Sequence, residues 1–171
     1  DGAMGTELIA RGEKLPNHLW SAKVNLSNPK LVRDIHVDYI NSGSTYITSN
    51  TFRTTQRAYH KTGLNKEESY IKSGQSLNSA VNQAKCAMRG NHQLLGSIAP
   101  LEDCYSPKSF PGELNAFNEF QVIGNNLFNA KIDIFLLETM NSIIETITCL
   151  KALRNFDLPI WISFNMKNNT D

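Results

Sequence analysis

Apolar positions along the chain follow two alternating rhythms. Leu31, Val32, Ile35 and Tyr39 recur at helical spacing behind Asn28-Pro29, a capping residue followed by proline at the first helical position, and Gly43 closes that helix. Residues 45–48 are short and β-prone. A polar loop from Asn50 leads into a helix over about 66–88, ended by Gly90-Asn91. A strand over 94–99 stops at Pro100, and a long loop with Pro107, Pro111 and Gly112 precedes a helix over about 114–130. Residues 132–137 are nearly all apolar, the mark of a strand covered on both faces. Ile143, Ile144, Ile147 and Leu150 define a fourth helix, and 159–164 reads as a buried strand. The opening Asp1-Gly2-Ala3-Met4-Gly5-Thr6 reads as a Gly-rich turn with no strand ahead of it.

This order, a turn and then helices alternating with strands, predicts an α/β protein with a parallel sheet and right-handed crossovers. Two architectures fit: an open doubly wound sheet and a (β/α)8 barrel. No GxGxxG follows a strand and no GxxxxGK[ST] occurs, which weakens the nucleotide-binding forms of the open sheet. A whole barrel takes about 250 residues. The 171 residues would hold little more than half of one, so both ends read as cuts in a longer protein.

Composition narrows the function. With 40% hydrophobic residues, 19% charged residues and a formal net charge of +1, the chain should bury a core and shows no electrostatic footprint for nucleic acid or a membrane surface. No apolar run approaches the roughly 20 residues of a membrane helix. Cys86, Cys104 and Cys149 are odd in number and widely spaced, which suggests free thiols in a reducing, cytoplasmic setting.

In a parallel sheet, ligands bind at the carboxyl ends of the strands. Counting a first strand ahead of Asp1, that rule selects Asp1 and Gly2; Ser49, Asn50, Thr51 and Phe52; Ser97, Pro100, Glu102 and Asp103; Glu138; and Ser163 and Asn165. Glu138, read as directly behind an apolar strand, either holds a substrate cation, or caps the next helix or pairs with a neighbouring lysine. Asp1 and Gly2 put a carboxylate beside a bare amide, or form an ordinary turn. Asn50 and Thr51 offer amides and a hydroxyl to an anion, or form turn bonds. Trp20 lines a pocket or fills the core. His36, on an amphipathic helix, reads as core or surface rather than ligand, and His18, His60 and His92 lack partners at metal spacing.

Six motifs in order resemble the homocysteine S-methyltransferase family. They are Asp1-Gly2-Ala3-Met4-Gly5-Thr6-Glu7-Leu8, Leu19-Trp20-Ser21-Ala22, Ile35-His36-Val37-Asp38-Tyr39-Ile40, Thr48-Ser49-Asn50-Thr51-Phe52, Gly96-Ser97-Ile98-Ala99-Pro100 and Leu136-Leu137-Glu138-Thr139-Met140. The second motif and residues 99–105 lean toward the stand-alone bacterial type. The resemblance implies the N-terminal half, about strands 1–5, of a (β/α)8 barrel, with 1–171 a partial homocysteine-binding domain. It implies transfer of a methyl group from a small donor, S-methylmethionine, S-adenosylmethionine or similar, to a zinc-bound homocysteine thiolate, giving methionine. It matches Asp1 and Glu138 to the ammonium of homocysteine, and Gly2 with Asn50 and Thr51 to its carboxylate region. The family's zinc-ligand cysteines would lie beyond Asp171, and Cys86, Cys104 and Cys149 match none of them, so the chain by itself should be inactive. The alternatives are a non-catalytic barrel fragment or interaction module, and a different barrel enzyme using Glu138 as a base.

Overall fold

The computed structural model describes residues 1–165. Three helices open the chain: α1 (Met4–Ala10), α2 (Val24–Ser27) and α3 (Pro29–Asn41). They are followed by β1 (Tyr46–Thr48), α4 (Gln56–His60), α5 (Lys66–Ala87), β2 (Gln93–Ile98), α6 (Glu113–Asn129), β3 (Ile134–Met140), α7 (Ile143–Leu153) and β4 (Ile160–Phe164). The strands form one parallel sheet in the order β1-β2-β3-β4.

Local signals set the helix starts. Asn28 accepts from the Leu31 N–H ahead of Pro29, Asn65 and Glu68 form a reciprocal capping box, and Ser142 accepts from the Glu145 N–H. Ile47, Leu94, Ile98, Phe135 and Leu137 point to the helical side of the sheet, where Leu77, Val81, Phe120, Leu127 and Leu153 complete one buried core. The alternate positions face the other way. There the rings of Tyr46 on β1 and Trp161 on β4 approach to 4.9 Å between centroids, although two strands separate them. Flat neighbouring strands lie about 4.8 Å apart, so this contact reports a sheet curled about a concave face.

The structure corrects four expectations. Met4–Ala10 is helix rather than turn, because Leu8 buries completely against Val24, Val32 and Ile35. The loop after Asn50 contains α4, capped by Thr55. The third strand runs over Ile134–Met140, so Glu138 lies within it. Asp133 sits ahead of that strand and accepts from the Leu94 N–H at 2.7 Å. β4 is not buried: Trp161 is 42% and Phe164 52% exposed, since among the described residues β4 is the edge of the sheet.

Gly96 in β2 has a packing reason. A Cβ there would lie 2.5 Å from Ile132 Cδ1 and 3.2 Å from both methyls of Leu127. Gly96→Ala is expected to cost about 1–3 kcal/mol through overpacking, read as a lower urea midpoint at unchanged slope.

Candidate functional site

Glu138 faces the concave side with Leu136 by the alternation of β3, and the strand breaks its register just after it, which returns Met140 to the core. Pairing with β4 shifts between Leu137 and Met140, and Thr139 adopts a left-handed conformation with φ 53°, a strained choice for a β-branched residue. The Thr139 hydroxyl donates to the Glu138 carbonyl at 2.7 Å, and its N–H donates to Ser163 Oγ at 3.3 Å. Such irregularities re-aim side chains beside sites. Glu138 accepts a hydrogen bond from the Ser97 hydroxyl on β2. Burial pushes its carboxyl above the usual carboxylate range, and the Ser97 bond opposes that in part.

Asp1 lies under the same cavity with both carboxylate oxygens engaged. Oδ1 accepts from the Thr48 N–H and Oδ2 from His36 Nδ1, each at 3.1 Å. The two side chains are 2% and 0% exposed. Burial lowers His36 to about 4, so the imidazole is neutral at pH 7. Gly2 gives space to Tyr39: a Cβ would lie 2.5 Å from the ring, whose hydroxyl donates to the Ala3 carbonyl.

Asn50 and Thr51 turn their side chains into the protein. Asn50 Nδ2 donates to the Ser21 carbonyl and to Asn25 Oδ1, while Asn25 Nδ2 donates to the Asn50 carbonyl and Ser76 Oγ. The Thr51 hydroxyl donates to the Ser97 carbonyl at 2.7 Å, and its N–H to Ser49 O. These bonds tie the ends of β1 and β2 to α2 and α5 and fix the rim of the site.

Asp1, Gly2, Trp20, Asn50, Tyr105 and Glu138 are among the residues lining a cavity of about 540 Å³. Trp20 sits at its edge, 41% exposed, with φ 49°. A Cβ on Gly5 would lie 2.6 Å from its indole nitrogen. Ser49 and Phe52 line the same cavity, whereas Glu102, Asp103 and Asn165 are engaged elsewhere. Glu102 pairs with Arg57 at 3.0 Å and with Lys61, Asp103 accepts from the Tyr105 N–H, and Asn165 Nδ2 donates to the Cys104 carbonyl. The sequence reading missed His36 as a site residue. Its signal was present, because His36 falls four residues after Val32 and four before Ile40, on the apolar face of α3.

The described residues do not fit a zinc site. No group of three or more His, Cys, Asp or Glu side chains converges among them. Cys86 is exposed on α5, whereas Cys104 and Cys149 are buried apart, and burial pushes both of those thiols up.

The profile of the family described as Homocysteine S-methyltransferase matches residues 1–171. The chain belongs to the homocysteine S-methyltransferase family. It is 29% identical over 181 residues to the homocysteine S-methyltransferase of Escherichia coli (strain K12), covering 99% of this chain and 58% of that protein. It is 26% identical over 191 residues to homocysteine S-methyltransferase 3 of Zea mays, covering 98% and 56%. The metallated form of the Escherichia coli homocysteine methyltransferase MmuM has a similar fold, with a TM-score of 0.86, 26% identity, and coverage of 98% of this chain and 62% of that one. The chain therefore spans less than two thirds of these relatives, and its curled parallel sheet is consistent with part of their barrel.

Proposed function

We propose that residues 1–171 form the amino-acid-binding wall of an enzyme that methylates homocysteine to methionine. The observation that carries this reading is the placement of the Glu138 carboxylate, whose hydrogen-bond partner among the described residues is the neutral Ser97 hydroxyl, over the cavity whose wall holds Asp1 and Gly2. Homocysteine brings one ammonium, one carboxylate and a thiol. Burial makes the ionised carboxylate costly, and a bound cation offsets that cost through a charge-assisted hydrogen bond. Glu138 therefore takes the ammonium, with Asp1 adding negative potential from below. Gly2 and the Asn50 rim, which the inward bonds of Thr51 hold in place, receive the substrate carboxylate. The thiol then points away from this wall, toward the open side of the sheet.

In the reaction, the homocysteine sulfur uses a lone pair to form a bond to the donor's methyl carbon. The bond from that carbon to the donor's positively charged sulfur breaks, and its electrons neutralise that sulfur. The zinc implied by the family favours the thiolate form when bound. Its ligands belong, in this proposal, outside residues 1–171. S-methylmethionine and S-adenosylmethionine are donors of this kind, and the three free cysteines suit a reducing cytoplasm. The test is methionine formation by the complete protein containing residues 1–171, given homocysteine and each donor in turn. Methionine should appear with at least one donor. Folded protein that yields none with either would contradict the assignment.

A further inference from the structure

His36 is fully buried in α3, and its Nδ1 lies 3.1 Å from Asp1 Oδ2. Its other nitrogen, Nε2, has no hydrogen-bond partner among the described residues. A buried nitrogen without a partner costs stability. A leucine would fill the same space, beside Val32 and Ile35, without that cost. What the imidazole alone supplies is the N–H on Nδ1.

We propose that His36 is a positioning residue, whose Nδ1–H fixes the Asp1 carboxylate, and with it the Thr48 end of β1, in the wall of the homocysteine cavity. The proposal rests on the reading of that wall given above. The charges support it. A lysine or a protonated histidine at this place would neutralise Asp1 and remove its pull on an ammonium. A neutral imidazole orients the carboxylate and leaves its charge intact. His36 is held neutral by burial, and the carboxylates nearby are those of Asp1 and Glu138. The two hydrogen bonds on Asp1 come from different elements, β1 and α3, so the carboxylate also joins the helical layer to the strand that ends at the site.

The experiment uses the complete protein with three substitutions. An asparagine amide nitrogen can occupy the place of Nδ1, whereas that of glutamine falls nearer Nε2. His36→Leu and His36→Gln are expected to raise the KM for homocysteine about tenfold, the loss of one hydrogen bond to a charged group. The KM for the methyl donor should not change. His36→Asn should recover homocysteine KM to within about threefold of the parent. Equal effects of Asn and Gln, or a parental KM in His36→Leu, would overturn the proposal. If Glu138→Gln also binds homocysteine normally, the reading of the wall fails with it; if Glu138→Gln is impaired while His36→Leu is not, only the positioning role fails. Imidazole 15N shifts of the unsubstituted protein give a check independent of any variant's folding. A neutral ring protonated on Nδ1 between about pH 6 and 8 supports the proposal. An Nε2–H tautomer, or a charged ring in that range, overturns it.

Discussion

Replacing Glu138 by glutamine in the complete protein is expected to weaken homocysteine binding about ten- to a hundredfold without lowering stability. The first effect follows from loss of a charge-assisted hydrogen bond to the ammonium, worth about 1.5–3 kcal/mol. The second follows from the direction of the Glu138 pKa shift. Burial raises the carboxyl above its ordinary value of 4.5, so the folded protein holds that proton more tightly than the unfolded chain does. The contribution of Glu138 to stability is therefore most favourable below pH 4.5. It declines as pH rises through the folded value, and above that the cost of the buried charge is complete. Glutamine keeps the shape, can still accept from Ser97, and avoids that cost. Glu138→Gln should thus melt at or above the parent's temperature at pH 7, and the difference should shrink toward pH 4. A variant that loses stability at pH 7 and binds homocysteine normally would show that Glu138 is a structural group.

The largest stability loss is expected for Phe135→Ala. Phe135 is fully buried on β3, stacks at a tilt on Phe156 with centroids 5.7 Å apart, and lies opposite Gly96 on β2. Its removal opens a cavity between the sheet and α6–α7, where rigid neighbours close in only partly. The expected cost is about 3–5 kcal/mol, a large share of the roughly 5–15 kcal/mol that stabilises a typical domain. Urea unfolding of the complete protein reads this as a shifted midpoint. A loss under about 1 kcal/mol would mean that this part of the core can collapse around the gap.

The strands and long helices were legible because their signals are local. Asn28-Pro29 marks the start of α3 from the sequence alone, and the apolar spacing of Ile143, Ile144, Ile147 and Leu150 predicts α7; the structure has both helices. The parallel order followed from the alternation of elements, and the sheet has it. What was not legible depends on distant partners. Gly2 and Gly5 suggested a turn, but their missing side chains accommodate Tyr39 and Trp20 from later in the chain. The left-handed Thr139, at the register break against β4 that turns Met140 into the core, has no counterpart in any spacing of the sequence. Asp1 was read as a carboxylate beside a bare amide or as part of an ordinary turn. Its partners His36 and Thr48 lie 35 and 47 residues away and become neighbours only when α3 packs against the start of β1.

The most direct test of the central claim is a crystal structure of the complete protein with homocysteine bound. The account predicts the substrate ammonium about 3 Å from a Glu138 carboxylate oxygen, its carboxylate against the Gly2 and Asn50–Thr51 rim, and its sulfur directed away from the β1–β3 wall. Homocysteine bound with its ammonium away from Glu138, or with its sulfur against that wall, would contradict it.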